Sequence, residues 1–236
     1  GSKSAGRKRE AVAIPASFPG KGSGSSLLWV ARRRRPGRNP PMSAVLGIFG
    51  GSFDPPHVGH VAAAAAAWRQ LGLDQVVVIP AGQAPLRDGP PRASAADRVA
   101  MARLAFAEAP WATVDARETL RPGPSWSIET ARELAREHPG ARLVWILGAD
   151  QLGRLERWKD VVDLAGLVEF AVLARDGLTV EVPSALRGQV RLHRLDAPSV
   201  EVSSTDLRER LRNGQPTNGL LPAVRRHIEE HALYQA

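Results

Sequence analysis

The chain of 236 residues has no cysteine, a single tyrosine and two methionines. Without thiols there is no disulfide scaffold, thiolate metal site or cysteine nucleophile, a composition compatible with a reducing cytoplasm. No apolar run approaches the roughly 20 residues a membrane-spanning helix needs, so no membrane partner is expected. Internal repeats are absent too. What remains is ordinary for a chain that buries a core: 43% hydrophobic and 24% charged residues, in about the length of one large domain.

The net charge of +8 comes from one end. Residues 1–41 carry ten basic side chains, Arg32–Arg35 among them, against the single acid Glu10, a charge of +9. The remaining 22 basic and 23 acidic residues give −1, so the body has no basic footprint for nucleic acid. Residues 1–41 are rich in Gly, Ser, Pro and Arg. They cannot bury enough apolar surface to offset the entropy of ordering, and a disordered basic tail is predicted. Its leading Gly-Ser reads as a cloning remnant, and Met42 lies just before the first strand signal. A mis-set gene start or added segment is one reading of the tail; a basic or transit-like arm is the other. A single folded domain is expected over 42–236.

From Ala44 onward strand and helix signals alternate. Apolar runs predict strands at 44–50, 75–80, 112–116, 142–148, 168–174 and 190–195. Helical spacing predicts helices at 61–71, 94–109, 125–138, 203–212 and 221–231. Near-continuous Val/Ile/Leu strands between helices argue for an α/β fold, a doubly wound parallel sheet covered on both faces. Residues 203–236 would form its small C-terminal helical part. Ligands of such folds bind beyond the carboxyl ends of the strands.

The stretch LGIFGGSFDPPHVGHVAAAAAAW, from Leu46 to Trp68, crosses the first such end. Gly50 and Gly51 let backbone approach a ligand closely, and Pro55 and Pro56 stiffen the turn. His57 and His60, spaced i and i+3, are expected on one side of the nascent helix, beside amides that favour anions. Two imidazoles there can donate to phosphoryl oxygens. Plain packing residues or a zinc pair are the alternatives, the latter with no third ligand nearby. Asp54 is read as a brace of the turn and not as a metal ligand. The run Ala62–Ala67 is read as a helix packed closely on the sheet. Further on, SSTDLR at Ser203–Arg208 sets three hydroxyls at a helix start and an arginine one turn in, a second anion site. An ordinary Ser N-cap on a surface helix is the alternative.

The complete string G-S-F-D-P-P-H-V-G-H resembles the nucleotidyltransferase signature G-[TS]-F-D-P-x-H-x-G-H, and SSTDLR resembles the second one, S-S-T-x-[IL]-R. Five further pieces, in order, are similar to the bacterial nicotinate mononucleotide adenylyltransferases. VVVIPAGQAPLR resembles their strand and P-x-x-x-x-P-H-K loop, PSWSIET their P-S-Y-T-x-x-T, and LVWILGAD their I-x-G-x-D. Arg157-Trp158 fits a family tryptophan on the helix after that strand. LLPAVRRHIEEHALY is similar to the closing L-x-P-x-V-x-x-Y-I-x-x-H-x-L-Y. Two places at the mononucleotide end depart from the pattern: Leu86-Arg87 stands for His-Lys, and Trp126-Ser127 for Tyr-Thr.

The resemblance implies a Rossmann-like nucleotidyltransferase. It would transfer the adenylyl group of ATP to nicotinate mononucleotide, releasing pyrophosphate, with Mg²⁺ held through the ATP phosphates and no metal ligand from protein side chains. His57, His60 and Arg208 would be catalytic. ATP would meet Gly50, Gly51, Ser52, Phe53, His57, His60, Gly148, Asp150, Ser203, Ser204, Thr205 and Arg208. The mononucleotide would meet Ser52, Phe53, Arg87, Trp126, Ser127, Thr130 and Trp158. A nicotinamide mononucleotide acceptor, or the reaction of a cytidylyltransferase or phosphopantetheine adenylyltransferase, is the alternative. Asp150 as a mere N-cap, Trp158 as a half-buried helix residue and Arg87 as a solvated charge are the plain readings of those positions.

Overall fold

The computed structural model describes residues 44–87, 89–174, 181–196 and 200–235. The predicted basic tail lies outside the described residues. Six parallel strands form one sheet: β1 (Val45–Gly51), β2 (Gln75–Pro80), β3 (Ala112–Val114), β4 (Arg142–Gly148), β5 (Val168–Ala174) and β6 (Leu192–Asp196). Their order is β3-β2-β1-β4-β5-β6. The chain winds outward from β1 in one direction and then from β4 in the other, as the sequence predicts for a doubly wound sheet. The point of reversal falls between β1 and β4, which pair in register through Ile48 and Trp145.

The central strands are buried on both faces, which explains their unbroken apolar runs. Phe49, Val76, Val78, Val144 and Ile146 face one core. Leu46, Ile48, Val77, Ile79, Leu143, Trp145 and Leu147 face the other. The helix α1 (Val58–Leu71) covers the first face through Ala64 and Ala67, both fully buried. Gly47 admits no larger residue beneath it, since a Cβ there would lie 2.7 Å from the Leu73 side chain. The same face carries α2 (Ala95–Ala105), α7 (Ser204–Arg212) and α8 (Pro222–Glu230). The opposite face carries α4 (Ser127–Glu137) and α6 (Val161–Leu167). Among the described residues there are also two single-turn helices, α3 (Arg117–Leu120) and α5 (Ala149–Leu152).

Two helix boundaries differ by three or four residues from expectation, and three short helices were not expected. The first helix starts at Val58, not Val61, because His57 is its extended N-cap residue and His60 already lies in the first turn. The second ends at Ala105, with Phe106 as its cap, four residues short of the predicted end. The helices α3, α5 and α6 carry no sequence signal, being too short to show a 3.6-residue period.

Candidate active site

At the carboxyl ends of β1 and β4 the sheet opens into a cleft with two adjoining parts. One, of about 440 Å³, is lined by Gly50, Gly51, Ser52, Phe53, His57, Gly59, His60, Gly148, Asp150, Ser203 and Ser204. The other, of about 610 Å³, is lined by Arg87, Trp126, Ser127, Trp158, Thr205 and Arg208 and shares Gly50, Gly51, Ser52, Asp150 and Ser204 with the first. The two histidines and Arg208, remote in sequence, thus border one opening.

His57 and His60 sit where the sheet hands over to α1. The His57 amide donates to His60 Nδ1 at 3.2 Å, and the ring centroids lie 3.9 Å apart. An imidazole that accepts at Nδ1 carries its proton on Nε2 when neutral, which makes that second nitrogen a donor. Gly59 between them has a steric reason: a Cβ there would lie 2.9 Å from His57 Nδ1. The His60 ring rests on Phe53 at 5.1 Å, and Phe53 packs edge-on to Phe49. Phe53 is 1% exposed and holds φ near +48°, so its ring is chiefly a floor under the histidine. The expected row of open amides at this helix start is incomplete, because the Val58 amide donates to the Gly219 carbonyl.

The turn before His57 is built around Asp54, which is 1% exposed. Its carboxylate accepts from the Arg92 and Ala93 amides at 2.9 and 3.1 Å, from Arg87 at 3.2 Å and from the Tyr234 hydroxyl at 2.9 Å. That is the bracing role read from the sequence. Burial next to this carboxylate pushes the Tyr234 phenol well above its ordinary value, so it stays a donor. Arg87 is therefore no solvated loop charge, although it also faces the cleft.

The second motif meets the first directly. The Ser204 hydroxyl donates to the Pro55 carbonyl at 2.8 Å, and Arg208 donates to the Asp54 carbonyl at 2.7 Å and to Thr205 Oγ1 at 3.1 Å. Ser203 is the N-cap of α7 and accepts from the Asp206 amide at 3.1 Å. Burial and the neighbouring Arg87 and Arg92 pull Arg208 below its ordinary pKa, the Asp54 carboxylate opposing them. A guanidinium stays a cation at any physiological pH all the same.

The remaining predicted residues divide. At the end of β4, Gly148 is the N-cap of α5, not Asp150. Asp150 folds back over it, and a Cβ on Gly148 would lie 2.6 Å from Asp150 Oδ1. Trp126 and Ser127 open α4 at the cleft edge, with the Lys159 ammonium 5.1 Å above the Trp126 ring. Trp158 does not lie on a helix: it follows the 3-10 turn Leu155–Arg157 and packs edge-on against Trp145 at 5.8 Å. Thr130 is not in the cleft lining. It is fully buried, and its hydroxyl donates to Glu118 at 2.6 Å, tying α4 to α3. One turn further along α4 than Ser127, it lies deeper and outside the lining.

Two residues with no sequence signal hold the cleft open. Arg98, on α2 and 1% exposed, donates to the carbonyls of Ser52 and Ala81 at 2.9 and 2.6 Å, joining the loops after β1 and β2. Glu118, 5% exposed, belongs to the lining of the second part of the cleft, and burial raises its pKa. A charge on a helix reads as solvated until its partners, the Ser52 and Ala81 carbonyls for Arg98 and the Thr130 hydroxyl for Glu118, are known.

The sequence model of the cytidylyltransferase-like family matches residues 48–210. The chain is 40% identical over 198 residues to a probable nicotinate-nucleotide adenylyltransferase of Roseiflexus sp., covering 82% of this chain and 99% of that one. It is 41% identical over 196 residues to another from Bordetella petrii, covering 80% and 98%. Among solved structures, the Plasmodium falciparum nicotinic acid mononucleotide adenylyltransferase complexed with NaAD superposes with a TM-score of 0.65 at 15% identity, covering 81% of this chain and 97% of that one.

Proposed function

We propose, for a chain that belongs to the cytidylyltransferase-like family and within it to the nicotinate-nucleotide adenylyltransferases, that this cleft joins ATP to nicotinate mononucleotide. A phosphate oxygen of the mononucleotide attacks the α-phosphorus of ATP in line. The bond to the bridging oxygen breaks, pyrophosphate leaves, and nicotinate adenine dinucleotide remains. Such a displacement needs positioning and charge neutralisation more than covalent help. The observation that carries this reading is the bonding of Ser204 and Arg208 to the turn at Asp54 and Pro55, beside both histidines.

His57 and His60 donate to the α-phosphate as charge develops. Ser203, Ser204, Thr205 and Arg208 hold the β- and γ-phosphates at the start of α7. Gly50 and Gly51 give the nucleotide close access to backbone, with Ser52 and Phe53 at the meeting of the two substrates. Gly148 and Asp150 serve the adenosine end. On the acceptor side Trp158 supplies a ring to stack on, and the start of α4 at Trp126 and Ser127 suits the nicotinate carboxylate. Arg87 serves the acceptor phosphate.

The cleft suits a divalent ion carried by the triphosphate. The Asp54 carboxylate is filled by its donors, and the phosphate subsite is read as the Ser203, Ser204 and Thr205 hydroxyls, the two imidazoles and the Arg208 guanidinium, with Asp150 and Glu201 elsewhere in the same lining. Mg²⁺ bound to the phosphates beside Ser204 and Thr205 would supply charge neutralisation there.

Mass identification of the product from ATP, Mg²⁺ and nicotinate mononucleotide tests the reading, with His60→Ala alongside. The expected result is the dinucleotide, formed by the variant at a kcat lower by about 10²–10³. A variant with unchanged kcat would remove His60 from the chemistry.

A further inference from the structure

Away from the cleft, Asp97 of α2 meets His227 and His231 of α8. Asp97 Oδ1 lies 3.1 Å from His227 Nε2 and 3.7 Å from His231 Nδ1, and all three atoms lie within 4.8 Å of one another. We propose that these three side chains form a binding site for a divalent transition-metal ion, zinc being the reference ion, that clamps α8 to α2.

The geometry is that of a half-built coordination shell. Zinc binds imidazole nitrogen and carboxylate oxygen at about 2.0–2.1 Å, which separates neighbouring ligands of a tetrahedron by about 3.3–3.4 Å. The two measured separations bracket that value. The imidazoles, one helical turn apart, stack with centroids 4.1 Å apart at 27°, and the nitrogens that approach Asp97 are Nε2 of His227 and Nδ1 of His231. The carboxylate is itself oriented: the Ser94 hydroxyl donates to Oδ2 at 2.6 Å, leaving Oδ1 toward the histidines. Partners of this kind fix a ligand group's direction and strengthen metal binding. His231 caps the C-terminus of α8, where the helix dipole favours a cation. His227 and Asp97 are largely shielded, whereas His231 is half-exposed and gives an ion a way in.

Position gives the site a consequence. The next residue after Asp97 is Arg98, which anchors the loops after β1 and β2. Three residues after His231, Tyr234 bonds Asp54. An ion here would fasten the helix whose end braces the histidine turn. His227 stands where the family pattern quoted above has tyrosine, so the two-histidine arrangement is not implied by the resemblance.

The test uses the full chain, stripped of metal by a chelator and dialysed, then titrated with Zn²⁺ alone against a chromophoric competitor, with Co²⁺ in parallel for its visible spectrum. His227→Gln, His231→Gln and Asp97→Asn are compared with His193→Gln as a histidine control. The expected result is one ion per chain with tetrahedral Co²⁺ bands, affinity reduced about tenfold or more in each of the three variants and unchanged in the control. Zn²⁺ should also raise the unfolding midpoint of the wild type but not of His231→Gln. Equal binding by wild type and both histidine variants would place the ion elsewhere, and no binding would leave only a hydrogen-bonded helix contact; either overturns the proposal. Because the readouts are metal affinity and stability, their failure leaves the proposed reaction untouched.

Discussion

Arg208 donates to the backbone carbonyl of Asp54 at 2.7 Å across 154 residues of sequence. A side chain at one end of the fold thereby fixes the turn that carries His57 at the other. The guanidinium can bond Asp54 and Thr205 at once because it is a planar fork with several donors. Arg208→Ala is expected to lower kcat at saturating ATP by about 10²–10³. Arg208→Lys should recover only part of the loss, since an ammonium offers no fixed fork. Steady-state rates for the two variants check this; equal rates would show that charge alone matters.

Gly59→Ala separates stability from activity. Replacing a helical glycine by alanine stabilises by up to about 1 kcal/mol, yet the added Cβ would press on the His57 ring. The unfolding midpoint is expected to hold or rise while kcat falls at least tenfold. A variant that keeps its activity would mean that His57 has room to move.

Thr130→Val addresses the residue that the sequence assigned to the acceptor. The hydroxyl lost is the one that donates to the buried Glu118. The expected cost is about 1–2 kcal/mol of stability, measured by denaturant unfolding. KM for nicotinate mononucleotide should stay within about twofold, whereas a direct substrate contact would raise it tenfold or more.

Glu169 sets an acid limit on stability at the sheet end away from the cleft. Partial burial raises its pKa, but the His193 contact at 2.7 Å and the charges of Arg142 and Arg191 outweigh that and hold it below the ordinary value. A carboxyl depressed in the folded state stabilises above its unfolded value, about 4.3, and loses that contribution as pH falls through its folded value. Glu169→Gln should therefore lower unfolding free energy at pH 7 by about 1 kcal/mol, the gap closing below about pH 4. Unfolding curves across pH 3–7 check the sign.

The strands and the two motifs were readable in the sequence because each is local. An apolar run declares β1, and Ser203 declares the start of α7. Arg98 was not readable, since its carbonyl partners at Ser52 and Ala81 come from separate loops. Nor was the bond from Tyr234 to Asp54, which closes only once α8 lies against α2. The contact of Thr130 with Glu118 was not readable either, because a place in a matched motif does not say which partner a buried hydroxyl finds.

Pyrophosphate release from ATP and Mg²⁺, with nicotinate mononucleotide and nicotinamide mononucleotide offered separately, tests the central claim most directly. The account predicts rapid release that requires the nicotinate acceptor and is much slower with the nicotinamide one. Absence of pyrophosphate with either acceptor would contradict it.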